Sequence, residues 1–249
     1  MPTAGKGRRF WTLYKKELRE LTPEIVILIA TSILLNVYAY FKAAPLTGLS
    51  LTLTVGLAAF LPFISSFKLS REWKNQTVYL MMSLPASGAL ILGAKLTALM
   101  TELVIGGLAA GTAGGLAIMA SYPGEIKQLM SMVPNVYSNL ALMALFGLVN
   151  VMFFCCISFL AQVLGKLVRK YSGLLSFVSF IAILILLSKG IEMINAAGIT
   201  HFGLGMGLNP PLPFPDPSSY ILYSSIIVAI VSVLVFIAAA LIYDRRLEL

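Results

Sequence analysis

Residues 217–243 read PSSYILYSSIIVAIVSVLVFIAAALIY, and no charged side chain interrupts them. An α-helix rises about 1.5 Å per residue, so about 20 apolar residues cross the hydrocarbon core of a bilayer. This run is long enough to cross, and nothing in it needs water. A crossing segment must satisfy its backbone hydrogen bonds internally, which leaves helices or a closed barrel. The apolar residues are continuous rather than alternating, so the helix is the answer and the barrel is excluded.

Further runs of the same kind lie upstream. Residues 25–41, 43–67, 128–165 and 171–188 carry no charge, and the run from Ser87 past Ala120 is interrupted only by Lys95 and Glu102. The spans are therefore expected near 25–41, 46–67, 88–120, 136–164, 171–190 and 219–243. The third and fourth exceed the bilayer thickness and must tilt or protrude. The fold class that follows is an all-α membrane protein with six transmembrane helices, a single transmembrane domain over residues 1–249.

Composition points the same way. The chain has 249 residues, 59% hydrophobic and 11% charged, with a mean hydropathy of +0.91. A soluble domain carries about 25% charged residues, so this chain has too few to solvate a globular surface. The net charge of +8 is explained by where the cations fall. With the N-terminus inside, 14 of the 18 Lys and Arg lie on the inner side; only Lys42, Lys127 and Lys189 lie outside, and Lys95 sits within the third span. Cytoplasmic loops carry the excess of Lys and Arg, so both termini are expected in the cytoplasm and no nucleic acid is needed as partner. The first span is too long for the core of a cleaved signal peptide, about 7–15 residues, and is expected to stay.

Two segments at the inner edge have a different character. In residues 8–23, Phe10, Trp11, Tyr14, Leu18 and Leu21 recur at helical spacing, with Lys15, Lys16, Arg19 and Glu20 on other faces. This predicts an amphipathic interfacial helix that Pro23 breaks before the first span. In residues 70–84, Trp73, Thr77, Leu80, Met81 and Leu84 recur at steps of three and four. A second short amphipathic helix is expected there, stopped by Pro85, with Ser87 able to cap the third span. On physics alone these are membrane anchors or a platform for a cytoplasmic partner.

In these segments the chain resembles the membrane subunit of ABC-type exporters of the drug, antibiotic and polysaccharide class. That family has six spans, both ends inside, and an elbow helix with a Lys-Glu-Leu-Arg stretch, matched by Lys16-Glu17-Leu18-Arg19. After its second span comes a Glu, a Thr five residues on, then leucines and Leu-Pro-x-Ser, matched by Glu72, Thr77, Leu80, Leu84, Pro85 and Ser87. The stretch Ile91-Leu92-Gly93-Ala94-Lys95-Leu96 also resembles the family's third-span start. Gly88 stands where the family often has Arg, and Met81-Met82 replace leucines, which bears on the subfamily. The resemblance implies that two permease copies, a homodimer, sit on two copies of an ATP-binding subunit. It implies that the elbow helix (Phe10, Trp11, Tyr14, Glu17) and residues 70–84 (Glu72, Trp73, Thr77, Leu80, Leu84, Pro85) couple ATPase closure to the spans. It also implies the cytoplasmic membrane of a prokaryote. ATP and Mg would belong to the partner. The nearest text to a phosphate loop here, Gly88 to Lys95, has its lysine displaced by one residue and Leu96 in place of the metal-binding hydroxyl.

Within the spans, Glu102 is a costly residue that by default reads as functional, or else as a structural hydrogen bond within the bundle. Lys95 lies about 10 Å below it along the helix, too far for a tight pair, and can snorkel to the inner surface. Gly107, Gly111 and Gly115 recur every four residues, a pattern for close helix packing or a substrate-lining groove. Asn36, Asn150 and Gln162 are expected to bond between helices, and Pro62 to kink the second span. Cys155 and Cys156 are adjacent in an apolar run and read as packing residues. The outer loop 191–218 carries the lone His201, which is no metal site. No catalytic constellation is present, so enzyme activity is not expected. The rival reading is an ion-coupled secondary transporter, which would show internal repeats; no repeat between the halves is evident. Long apolar spans favour an amphipathic or lipid-like cargo in contact with membrane lipid.

Overall fold

The computed structural model of the protein describes residues 6–68, 87–132, 135–166, 172–196 and 217–247. Every element among the described residues is an α-helix. They are α1 (Lys6–Lys42), α2 (Ala44–Ser66), α3 (Gly88–Ser121), α4 (Pro123–Met132), α5 (Val136–Gly165), α6 (Ser172–Ala196) and α7 (Pro217–Leu247). Six of them, all but α4, are long and apolar enough to cross a membrane. The protein is an all-α, six-span membrane protein, and the helix limits agree with the expected spans to within a few residues except at the start of α1 and the end of α6.

The chain divides into two compact units. The first holds α1 to α4 and the start of α5; the second holds the rest of α5 with α6 and α7.

In the first unit α1, α2 and α3 pack against one another in all three pairings. A single residue, Ala43, separates α1 from α2. It is extended, and Pro45 stands in the first turn of α2, where its fixed φ suits helix entry and its missing N–H goes unneeded. The two helices therefore form a tight antiparallel hairpin. The buried stripe of α1 is Glu17, Leu21, Ile25, Leu28, Ser32, Asn36 and Ala39; that of α2 is Thr47, Ser50, Thr54, Ala58, Pro62 and Ser65. Steps of three and four keep each stripe on one helical face. The large apolar side chains point the other way: Ile27, Leu34, Phe41, Leu49, Leu53, Phe60, Leu108 and Leu116 are exposed. In a bilayer, lipid tails accept those groups, and helices associate through small and hydrogen-bonding residues instead.

Three expectations change here. The helix does not break at Pro23: α1 runs unbroken from Lys6 to Lys42. The buried stripe passes straight through the proline from Leu21 to Ile25, so packing on both sides holds the axis together against one lost backbone bond. The separate elbow helix is thus the first part of α1. The second change concerns glycine. The face of α3 that meets its neighbours is Gly106, Ala110 and Gly114, one residue out of step with the Gly107, Gly111 and Gly115 stripe. A Cβ on Gly106 would lie 2.0 Å from Leu28 Cδ2, and one on Gly114 would lie 2.4 Å from Leu51 Cδ1. Gly107, Gly111 and Gly115 have nothing within 4 Å of such a Cβ. One residue is about 100° of helix rotation, which is enough to turn a packing face into an open one. Third, Ser87 occupies the N-cap position of α3 without a side-chain cap. Its carbonyl instead accepts from Leu90 N at 2.9 Å and Ile91 N at 3.1 Å.

The short α4 was not foreseen. It starts at Pro123, carries Glu125 in its first turn, and ends before Asn135, which immediately precedes α5 and has a φ of 56°. Asparagine is among the few residues enriched in this left-handed region.

In the second unit the buried residues of α5 lie in its C-terminal half, from Val149 onward, and include Phe153, Phe159 and the cysteines Cys155 and Cys156, which fill space as expected. Gln162 donates to Ser158 O at 3.1 Å and Ser158 Oγ at 2.9 Å. Asn150 donates to its own helix, at Phe146 O. The buried residues of α7 are again small or polar: Ser224, Ser225, Ser232, Ala239 and Ala240, with Val228, Val235 and Tyr243.

Candidate functional site

The hairpin of α1 and α2, with α3 packed on both, brings the start of α1, the end of α2 and the start of α3 to one end of the first unit. Ionisable side chains gather there between helices that are otherwise apolar or weakly polar.

The lower level is a closed ion pair. Lys95 Nζ donates to Glu17 Oε2 at 2.6 Å, and the two residues are only 7% and 8% exposed. Lys95 therefore does not reach to the surface as expected. Its partner comes from α1, 78 positions earlier in the chain. Lys16 sits 3.5 Å from Glu17 and 3.3 Å from Glu20, at the water-facing rim. A buried charge without a partner is unstable in a low-dielectric interior, and a pair this short satisfies both ions.

One heptad along each helix lies the second level, with Glu24 on α1 and Glu102 on α3. Glu24 accepts from Ser65 Oγ at 2.5 Å and forms an ion pair with Lys68, both at the end of α2. Glu102 is 0% exposed, and among the described residues neither of its carboxyl oxygens has a hydrogen-bond partner. Its separation from Lys95 along α3 is as expected, but among the described residues no other donor replaces that partner. Ser32 Oγ, two turns beyond Glu24 on α1, is also buried without a hydrogen-bond partner among the described residues.

The aromatic start of α1 flanks this cluster. Phe10 and Trp11 both stack on Tyr14, the latter with ring centroids 5.2 Å apart, and Lys15 lies 5.3 Å over the Trp11 ring. Tyr14 OH shares a hydrogen bond of 3.0 Å with Thr101 Oγ1, the neighbour of Glu102. Tyr14 and Glu17 of the predicted elbow thus both touch α3, while Trp11 is exposed.

Toward the other end, Asn36 ties α1 to α2. It accepts from Ser50 Oγ at 2.8 Å and donates to Thr54 Oγ1 at 3.5 Å. Beside it an apolar cleft of about 660 Å³ lies between α1 and α3, lined by Ile33, Val37, Tyr40, Thr112, Leu116 and Ala117 among others. No group of three or more metal-ligating residues exists among the described residues.

Glu72, Trp73, Thr77, Leu80, Leu84 and Pro85 lie outside the described residues, as does His201. Sequence reasoning missed Glu24 and Lys68 because it treated both as edges of a charge-free run. The signal was present: Glu17 and Glu24 are seven apart, and so are Lys95 and Glu102. On two helices in contact that spacing stacks two ionic levels. No protein-family model and no curated protein matches this chain.

Proposed function

We propose that this chain is the permease subunit of an ABC-type exporter in the cytoplasmic membrane of a prokaryote. Two copies form the path for an amphipathic or lipid-like molecule, and two copies of a separate ATP-binding subunit, with ATP and Mg, drive it. The chain itself hydrolyses nothing. The observation that carries the reading is the order of motifs along the six spans: Lys16-Glu17-Leu18-Arg19 before the first, and Glu72, Thr77, Leu80 and Leu84-Pro85-x-Ser87 between the second and third. The Glu17–Lys95 pair supports it, because it joins the elbow motif to the third-span motif through one buried contact. The apolar cleft beside Asn36 supports an apolar cargo.

Gentle extraction should bring down a cytoplasmic ATPase, and its repeated absence would refute the reading. Given that complex, Glu72→Ala should leave assembly intact while lowering transport at least tenfold per ATP hydrolysed. Unchanged coupling would remove Glu72 from the contact.

One observation favours a second reading, an ion-coupled secondary transporter: an intramembrane carboxyl such as Glu102 is a usual component of proton relays. Proteoliposomes separate the two. Uptake driven by an ion gradient without an ATPase would favour the second.

A further inference from the structure

The first turns of α1 have committed their apolar side to protein. Phe10, Tyr14, Glu17 and Leu21 share one face of the helix. Tyr14 bonds to Thr101 and Glu17 to Lys95, both on α3, and Leu21 is buried. A helix that binds a membrane by insertion keeps that face for lipid. The opposite face carries Arg8, Lys15 and Arg19, with Thr12 and Thr22 beside them, and all five are exposed. Trp11 lies at its edge, 54% exposed, with the Lys15 ammonium 5.3 Å over its ring. This face holds no carboxylate. Glu20, about 100° round the helix from Arg19, is paired with Lys16.

Two observations place the cationic face at the inner headgroup layer. Leu28 packs on Gly106, and Tyr14 bonds to Thr101. Between these two contacts α1 advances about 21 Å along its axis and α3 only about 7 Å. That difference exceeds the length of a tyrosine side chain. The start of α1 therefore leans away from the axis of α3, a membrane span, toward the membrane plane. Second, after Trp11 the next large apolar side chain that α1 exposes is Val26. Val26 marks the edge of the lipid-facing band. Arg19 lies about 10 Å before it along the helix and Lys15 about 16 Å, and the lean brings both nearer to the layer of lipid phosphates.

We propose that this face of α1 seats the phosphates of anionic inner-leaflet lipids, with Arg8, Lys15 and Arg19 as the contacts and Trp11 as the interfacial ring. Each Lys or Arg near such a surface favours it about fivefold. The start of α1 is then held to the membrane by charge, and to the bundle by its apolar face. The proposal needs the N-terminus on the inner side and does not need an ATPase.

The test uses the full chain with W73F, whose remaining tryptophan is Trp11. It is placed in nanodiscs of mixed phosphatidylglycerol and phosphatidylcholine, with bromine on the acyl chains of one lipid or the other. Bromine on phosphatidylglycerol should quench Trp11 at least about twofold more than the same amount on phosphatidylcholine. High salt should abolish the excess, and so should R8Q/K15Q/R19Q. Equal quenching by the two lipids before the charges are removed would overturn the proposal, as would an excess that persists in the triple variant. Quenching by aqueous iodide but by neither lipid would also overturn it, and would point to an acidic soluble protein instead. If the triple variant does not fold, the salt titration decides: an excess that salt leaves unchanged refutes the seat. No ATPase enters the measurement, so its failure is separate from a failure to co-purify one.

Discussion

Lys95 shows how far a single charge depends on its surroundings. On an isolated helix its ammonium would reach for water. In the bundle it is enclosed and bonded to Glu17 at 2.6 Å. Removing one member of such a pair strands the other, at a cost of about 3–5 kcal/mol, while removing both is nearly neutral. Lys95→Met should therefore destabilise by about that amount, and Lys95→Met with Glu17→Gln should recover most of it. Thermal unfolding in lipid nanodiscs reads both. An equal loss in single and double variants would show that the pair is not the cause. Tyr14 lies one turn from Glu17, and its partner Thr101 adjoins Glu102, so the start of α1 is tied to α3 by a neutral bond as well.

At the scale of the helix, the register of α3 decides what may touch it. Leu51 packs so closely on Gly114 that a Cβ there would lie 2.4 Å from Cδ1, 3.0 Å from Cβ and 3.1 Å from Cγ of that leucine. The leucine cannot clear the site by turning its tip alone. Overpacking of this kind costs about 1–3 kcal/mol. Gly114→Ala should fall in that range, and Gly115→Ala, with open space around it, within about 0.5 kcal/mol of the parent. Midpoints that fall equally for both would place the contact face elsewhere. The unbroken course of α1 through Pro23 has a similar origin. A proline weakens a helix by one bond and a clash, but a stripe buried on both sides of it restores the axis.

For the whole molecule, the distribution of Lys and Arg sets orientation before any packing is considered. A cysteine replacing Thr12 should react with a membrane-impermeant thiol reagent only after permeabilisation, and one replacing Lys42 should react in intact cells. The native Cys155 and Cys156 are buried and leave a quiet background. Labelling with the opposite sidedness would invert the topology, and with it the assignment of residues 70–84 to the cytoplasmic face.

The number of spans and their limits were legible in the amino-acid sequence because the bilayer is a uniform solvent. A run of about 20 residues without charge has one stable place in it, whatever its neighbours are. The position of α2 and the buried polar character of Asn36 followed from the same local rules. Which groups meet was not legible. Glu17 and Lys95 are far apart in the chain, Gly106 and Gly107 differ only by rotation about an axis, and Glu24 stood only at the edge of a charge-free run. Those outcomes depend on how three helices turn toward one another, a property no single helix carries. Tertiary packing alone therefore decided that Lys95 is paired, that Gly114 rather than Gly115 is the contact, and that Glu102 is buried with no donor among the described residues.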